Sequence, residues 1–274
     1  MYLVSCRSNF TSDQTLSKRN RYRNYSNPQS VDVFQDLELD DILSKATDKH
    51  VCILVHGYNN ELSAVTRSYW TLVSQASQTD VISPQGYGLV IGFTWPGMAT
   101  GAGYFATRVT AKKSAPFLTE LVNQLRTVAH SVDVQTHSLG ARVALTALAN
   151  PKKVFVDNLM LTAPAVDCDL LEPGEDFHRS LDSCNRCFVY HSRNDSVLKI
   201  TYPLGDIADG LQRALGLNGP RSKPATLSKC PNAYVVDCSA RVKEHGGYRQ
   251  APKYFAHWKE LLSGTSMERY DELG

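Results

Sequence analysis

Residues 132–149 read Val-Asp-Val-Gln-Thr-His-Ser-Leu-Gly-Ala-Arg-Val-Ala-Leu-Thr-Ala-Leu-Ala. The stretch opens β-like (Val132, Val134), turns abruptly across Thr136–Gly140 and continues as an alanine- and leucine-rich helix. A strand, a tight turn carrying one serine and a helix together predict a nucleophile elbow. Ser138 then sits at the apex of a strained turn, where its oxygen stands clear of the sheet. The residue two positions later must be small because strand and helix nearly touch there, and it is Gly140. The residue two positions earlier meets similar crowding, yet it is the β-branched Thr136. Either the helix sits slightly further out or the elbow carries extra strain.

Working outward, Val51-Cys-Ile-Leu-Val55 is a continuous apolar run, which suits a central parallel strand buried on both faces. It ends in His56-Gly57-Tyr58-Asn59-Asn60, rich in residues that tolerate unusual backbone angles. Leu62, Val65, Tyr69, Leu72 and Val73 then recur at helical spacing. Further buried strands are expected over 88–95, 154–163, 186–191 and 233–238, the last read as the final strand. A short first strand spans Tyr2–Cys6, and a possible strand at Val31 and Val33 precedes an acidic helix through Leu37, Ile42 and Leu43. Residues 97–105 read as a mobile loop. A helix over about 106–129 is expected to break or restart near Pro116, and a C-terminal helix runs over about 252–262, followed by a polar tail. Strands alternating with helices predict an α/β fold: a doubly wound, mostly parallel sheet with helices on both faces. The reading is one domain over 1–274, with its core at about 50–262 and irregular surface segments at 8–30 and 202–232.

Composition sets the bounds. The 274 residues are 42% hydrophobic and 20% charged, with a formal charge of +2. That balance points to a folded protein and to neither a nucleic-acid nor a membrane-surface partner. No apolar run approaches the ~18 residues that span a bilayer, and the apolar part of Met1-Tyr-Leu-Val-Ser is too short for a secretory signal. The expected location is cytoplasmic. Seven cysteines, one of them inside the apolar run at Cys52, suit a reducing compartment better than a disulfide framework. Cys184-Asn-Arg-Cys187 has zinc-knuckle spacing, but no second pair matches it, so it reads as the approach to a strand. Lys18, Arg19, Arg21 and Arg23 interleave with tyrosines. Such a pattern suits RNA or phosphate when long, and reads as a solvated loop or hairpin when this short.

In an open parallel sheet, functional residues gather where strands end. After successive strands come His56-Gly57-Tyr58, Trp95-Pro96-Gly97, Ser138, Asp167 and Asp169, Arg193-Asn194-Asp195, and Glu244-His245-Gly246-Gly247. Serine, acid and histidine, each after its own strand and in that order, form the pattern of a hydrolase triad.

On these residues the chain resembles the α/β-hydrolase superfamily, most closely an esterase/lipase-like branch with a His-Gly-Tyr-Asn-Asn turn and a His-Ser-x-Gly elbow. The resemblance covers roughly 50–262 and is sharpest at Val51–Asn60, Phe93–Gly97, Thr136–Gly140 and the strand ending at Asp195. It implies a serine hydrolase acting on a small-molecule ester or related acyl substrate, with no cofactor and no metal.

Serine is a weak nucleophile and needs a base. His245 fills that role and Asp195 would hold its tautomer, with Asp167 as the alternative acid. His257, beside Trp258 on the C-terminal helix, is the alternative base and otherwise a packing residue. The backbone N–H groups of Tyr58 and Leu139 are the expected oxyanion donors. His56, Gly57, Trp95 and His137 are expected around the substrate, His56 ordering the oxyanion turn and His137 packing into the elbow. His191 reads as packing at a strand end. The competing functions are thioester or amide hydrolysis or acyl transfer at the same site, and a non-catalytic binding or effector protein that docks through 17–25.

Overall fold

A computed structural model describes the chain except residues 28–31, 59, 99–102, 150–153 and 206–212 and the side chains of residues 104, 105, 201 and 203–205. Among the described residues ten strands form one sheet: β1 (Tyr2–Arg7), β2 (Leu16–Tyr25), β3 (Phe34–Leu37), β4 (His50–Val55), β5 (Leu89–Thr94), β6 (Ser131–His137), β7 (Val156–Thr162), β8 (Cys184–His191), β9 (Ala233–Asp237) and β10 (Tyr270–Glu272). Their order across the sheet is β10-β9-β8-β7-β6-β4-β5-β1-β2-β3. From β10 to β1 all neighbours run parallel; β2 and β3 add an antiparallel edge.

The parallel strands are apolar because helices cover both their faces. Val51–Val55 of β4 are all buried. Removing each large aliphatic side chain from water stabilises the fold by about 1.5–3 kcal/mol before the entropy of ordering it. The helices are α1 (Leu39–Ala46), α2 (Leu62–Gln78), α3 (Gly103–Arg126), α4 (Gly140–Leu148), α5 (Ser196–Gly205), α6 (Leu215–Asn218), α7 (Lys223–Lys229) and α8 (Pro252–Leu262). α4 is buried at every position but Thr146, since it lies between the sheet and α3. Its alanines fit there because they bring no bulk to a double contact. On the α2 side, Gly92 admits the ring of Tyr69: a Cβ on Gly92 would stand 2.5 Å from that ring. The Tyr69 hydroxyl reaches the carbonyls of Leu54 and Phe93 at 2.8 and 2.7 Å, tying the ends of β4 and β5 together.

Several expectations need correction. Residues 16–25, read as irregular surface, form β2, whose Arg21 and Arg23 register against Ser5 and Leu3. The basic cluster is therefore part of a paired strand, with Arg23 bonded to Asp36 at 2.6 Å and stacked 3.6 Å over Phe34. Leu37 ends β3 rather than entering the acidic helix, and Val31 lies outside the described residues. The segment 202–232 is not wholly irregular, for it holds α6 and α7. α3 runs through Pro116 without a break. Proline leaves the carbonyl four residues earlier unbonded; here that residue, Lys112, is exposed and water can serve it. The polar tail contributes β10, parallel to β9, so β9 is not the last strand. The start of the loop read over 97–105 is described only to Met98, and α3 already begins at Gly103.

All seven cysteines are free and buried. Among the described residues there is no group of three or more metal-ligating side chains and no helix long and apolar enough to cross a membrane.

Burial also sets an acid limit. His191 and His257 are each pushed down to about 4 by burial, and burial lowers His56 and His137 well below the usual value. An unfolded histidine titrates near 6.5. Between about pH 6.5 and 4 the unfolded chain therefore binds more protons, and stability falls as pH falls. Crossing that window costs roughly 3 kcal/mol each for His191 and His257. Asp133, pushed up to about 6 by burial, opposes this between about pH 6 and 4, one group against five histidines once His50, also lowered by burial, is included. The urea midpoint is expected to drop from pH 7 to 4.5, and His257→Gln to flatten that slope. A midpoint that rises on acidification would contradict this account.

Candidate active site

The parallel register brings the strand ends level. Val55 pairs with Thr136, His137 with Thr162, and His191 with Asp237. The turn after β4, the elbow after β6 and the loops after β7, β8 and β9 thus emerge along one edge of the sheet.

Ser138, buried at 7% exposure, adopts φ 55°, the left-handed region expected at the apex of a sharp strand-to-helix turn. Three backbone bonds hold it there. Its N–H donates to Thr162 O at 3.0 Å, and its carbonyl accepts from Ala141 and Ala165 at 3.1 Å each. The crowding falls on Gly140, where a Cβ would stand 2.5 Å from the carbonyl oxygens of Val55 and His56. Thr136 is fully buried and turns its hydroxyl toward Met160 O of β7, 3.4 Å away. The nearest neighbours of the Gly140 position are backbone atoms of Val55 and His56, so the tightest contact of the elbow does not fall on Thr136. Gly57 is the other tight contact: a Cβ there would lie 2.7 Å from Ser138 Cβ.

Asp195 and His245 meet. His245 Nδ1 and Asp195 Oδ2 are 2.7 Å apart, with Asp195 almost wholly buried. The second carboxylate oxygen accepts the Leu198 N–H at 2.9 Å. Asp195 therefore caps α5 with one oxygen and faces the histidine with the other. His137 fastens the His245 loop to the elbow: its Nε2 bonds His245 O at 2.9 Å, and the two rings lie 4.7 Å apart. Burial, then the neighbouring His245 and Arg249, hold His137 well below its ordinary pKa, so it is neutral. Ser138 Oγ itself forms no hydrogen bond among the described residues. In unliganded enzymes the bond from nucleophile to base is commonly long and tightens with substrate.

The alternative residues sit elsewhere. Asp167 accepts the Tyr202 hydroxyl at 2.5 Å, and its backbone bridges Ala214. His257 bonds the Tyr190 hydroxyl at 3.0 Å and packs edge-on to Phe188 and Tyr190. Asp169 pairs with Arg221. His191 is buried, and neither of its ring nitrogens forms a hydrogen bond within standard geometry among the described residues.

The turn after β4 is cross-braced. Trp95 N–H donates to His56 Nε2 at 3.1 Å, which leaves the ring proton on Nδ1, 2.8 Å from Gly57 O. The Trp95 indole N–H donates to His56 O at 2.9 Å, and the two rings stack at 5.4 Å. Trp95 is fully buried and His56 nearly so. Both side chains frame the turn; Trp95 offers a substrate no surface, and His56 exposes only a little, toward the small cavity beside the turn. The Asn60 amide donates to Tyr58 O at 2.7 Å and Gly57 O at 3.4 Å. Leu139 is the N-cap of α4, so its N–H has no carbonyl partner within that helix. A small cavity of about 20 Å³ adjoins the turn, lined by His56, Asn60, Gln135, His137, Thr162 and Arg249 among others; it has room for about one water.

Sequence reading passed over Arg7 and Asn60, whose contacts with the turn join residues 53 and three positions apart from their partners. No motif marks an arginine at the end of β1; the only signal was a charge closing an apolar strand.

Among known proteins, the chain is 24% identical over 302 residues to an uncharacterized protein, alr1448, of Nostoc sp., covering 84% of this chain and 78% of that one. Solved structures similar to it include the Pyrococcus furiosus esterase Pf2001, at TM-score 0.43 and 14% identity over 89% of this chain and 84% of that one. The Thermogutta terrifontis esterase Est2 aligns at TM-score 0.42 and 14% identity, over 80% and 83%. Residues 33–238 match the family described as alpha/beta hydrolase of unknown function (DUF900), and the chain belongs to that family.

Proposed function

We propose that this protein is a serine hydrolase that cleaves a carboxylic ester, or a related acyl compound, through an acyl-enzyme on Ser138. The observation that carries the reading is the 2.7 Å contact between His245 Nδ1 and buried Asp195, in a loop that His137 ties to the elbow. A carboxylate on Nδ1 fixes that nitrogen as the proton carrier and leaves Nε2 free to act as base. His245 takes the Ser138 proton as the hydroxyl attacks the acyl carbon. The resulting oxyanion is met by the N–H groups of Leu139 and Tyr58. His245 then returns the proton to the leaving alcohol, and a water, deprotonated by the same base, releases the acid. Neutral His56 and His137 take no part in proton transfer; they keep the turn and the base loop in position.

The test is covalent labelling. A fluorophosphonate probe is expected to modify Ser138 in the folded protein and to leave Ser138→Ala unmodified. Folded wild-type protein that resists the probe would overturn the reading.

A further inference from the structure

Arg7 closes β1 and is completely buried. A buried guanidinium is costly unless its donors find acceptors, and each of the three nitrogens of this one has a partner. Nε donates to Thr94 Oγ1 at 2.7 Å. Nη1 pairs with the Asp13 carboxylate. Nη2 donates to Asn60 O at 3.0 Å and lies 3.3 Å from His56 Nε2. Three of those partners border the catalytic edge: Thr94 ends β5, while His56 and Asn60 flank Gly57 and Tyr58. Asp13, on the loop between β1 and β2, also accepts the Met98 N–H at its own carbonyl, 3.2 Å away. Arg7 and Asp13 both precede residue 33, outside the stretch that matches the family.

From this geometry we infer that Arg7, held by Asp13, is the positioning residue of the oxyanion turn, fixing the backbone of His56–Asn60 so that the Tyr58 N–H points at the developing oxyanion. The inference rests on the hydrolase reading above. Only a planar fork with several diverging donors can bond a hydroxyl, a carboxylate and a backbone carbonyl at once; a lysine ammonium cannot span them. The positive charge also disfavours protonation of His56, after burial itself. The ring therefore keeps the acceptor that Trp95 N–H needs. Donors aimed in advance at an oxyanion lose their value when their backbone drifts.

The experiment compares wild type with Arg7→Lys, Arg7→Met and Arg7→Met/Asp13→Leu. It records kcat and KM on p-nitrophenyl acetate, the melting temperature and the 15N spectrum of the His56 ring. Arg7→Met is expected to lower kcat at least about tenfold with KM nearly unchanged, and Arg7→Lys to fall between it and wild type. The double variant removes the stranded carboxylate, so its melting temperature should recover while kcat stays low. Recovery of kcat together with stability would make Arg7 merely structural and overturn the inference. Should wild type prove inactive and unlabelled, the hydrolase reading fails by itself, and the nitrogen spectrum still decides about the clamp. Loss of the Nδ1–H form of His56 in Arg7→Met supports it, and an unchanged spectrum overturns it.

Discussion

Ser138→Ala and His245→Ala are each expected to cut kcat for a short-chain ester by about 10⁶-fold, and the double variant to be no worse than either. In the proposed mechanism nucleophile and base act as a unit. Without the hydroxyl no acyl-enzyme forms, and the base has no proton to take. Without the base the hydroxyl is a weak nucleophile at neutral pH. What survives is transition-state stabilisation by the oxyanion donors, which needs neither side chain. Ser138→Ala should leave the fold as stable as before, whereas His245→Ala strands the buried Asp195 oxygen and should cost stability as well as activity. Ser138 Oγ holds no hydrogen bond among the described residues, and its strained backbone is fixed by N–H and carbonyl contacts that alanine keeps. His257→Gln is the control. Its ring, on α8, is bonded to Tyr190 of β8, so its loss should cost stability and leave most activity. Losses that multiply in the Ser138/His245 double variant would show that the two groups act independently, contrary to this mechanism.

The second large effect is expected at Asp195. Asp195→Asn should lower kcat by about 10⁴-fold, while Asp167→Asn stays within a few-fold of wild type. An amide can donate to His245 Nδ1 where the carboxylate could only accept. That places the ring proton on Nε2, where the serine proton has to go. The charge that steadies the imidazolium also disappears. The substitution is suited to separating chemistry from folding. Asp195 Oδ1 caps α5 through the Leu198 N–H, and asparagine caps a helix about as well as aspartate. Asp195→Ala would add the loss of that cap, about 1 kcal/mol. Asp167 has its own fixed partner in Tyr202, and its amide should cost stability alone. Comparable losses at both positions would undo the assignment.

The elements easiest to read were those whose local pattern and global burial agree. The β4 run and the 3.6-residue recurrence in α2 report their burial directly, because a strand covered on both faces, or a helix covered on one, must carry that apolar pattern. β2 and β10 were missed for the converse reason. Both lie toward the edges of the sheet, where half of each strand faces water. Residues such as Lys18, Arg21 and Asp271 then carry no periodic apolar signal, and backbone pairing alone makes them strands. Pro116 misled because a break depends on whether water can serve the freed carbonyl, a matter of exposure rather than sequence.

The same division runs through the candidate site. By itself the sequence determined the α/β class and the strand, turn and helix around Ser138, and it supplied the turn after β4 and the candidate order of serine, acid and histidine. Each of these is written within a few residues, in spacing and in the sizes that a tight turn allows. Only the tertiary structure decided which carboxylate faces His245, that Trp95 and His56 brace the turn from inside, and that Arg7 reaches Asn60 across 53 positions of chain. Those partners are set by the register of parallel strands separated by long crossovers. A contact made across such a crossover costs the chain little in loop closure and leaves no local mark in the residues that make it.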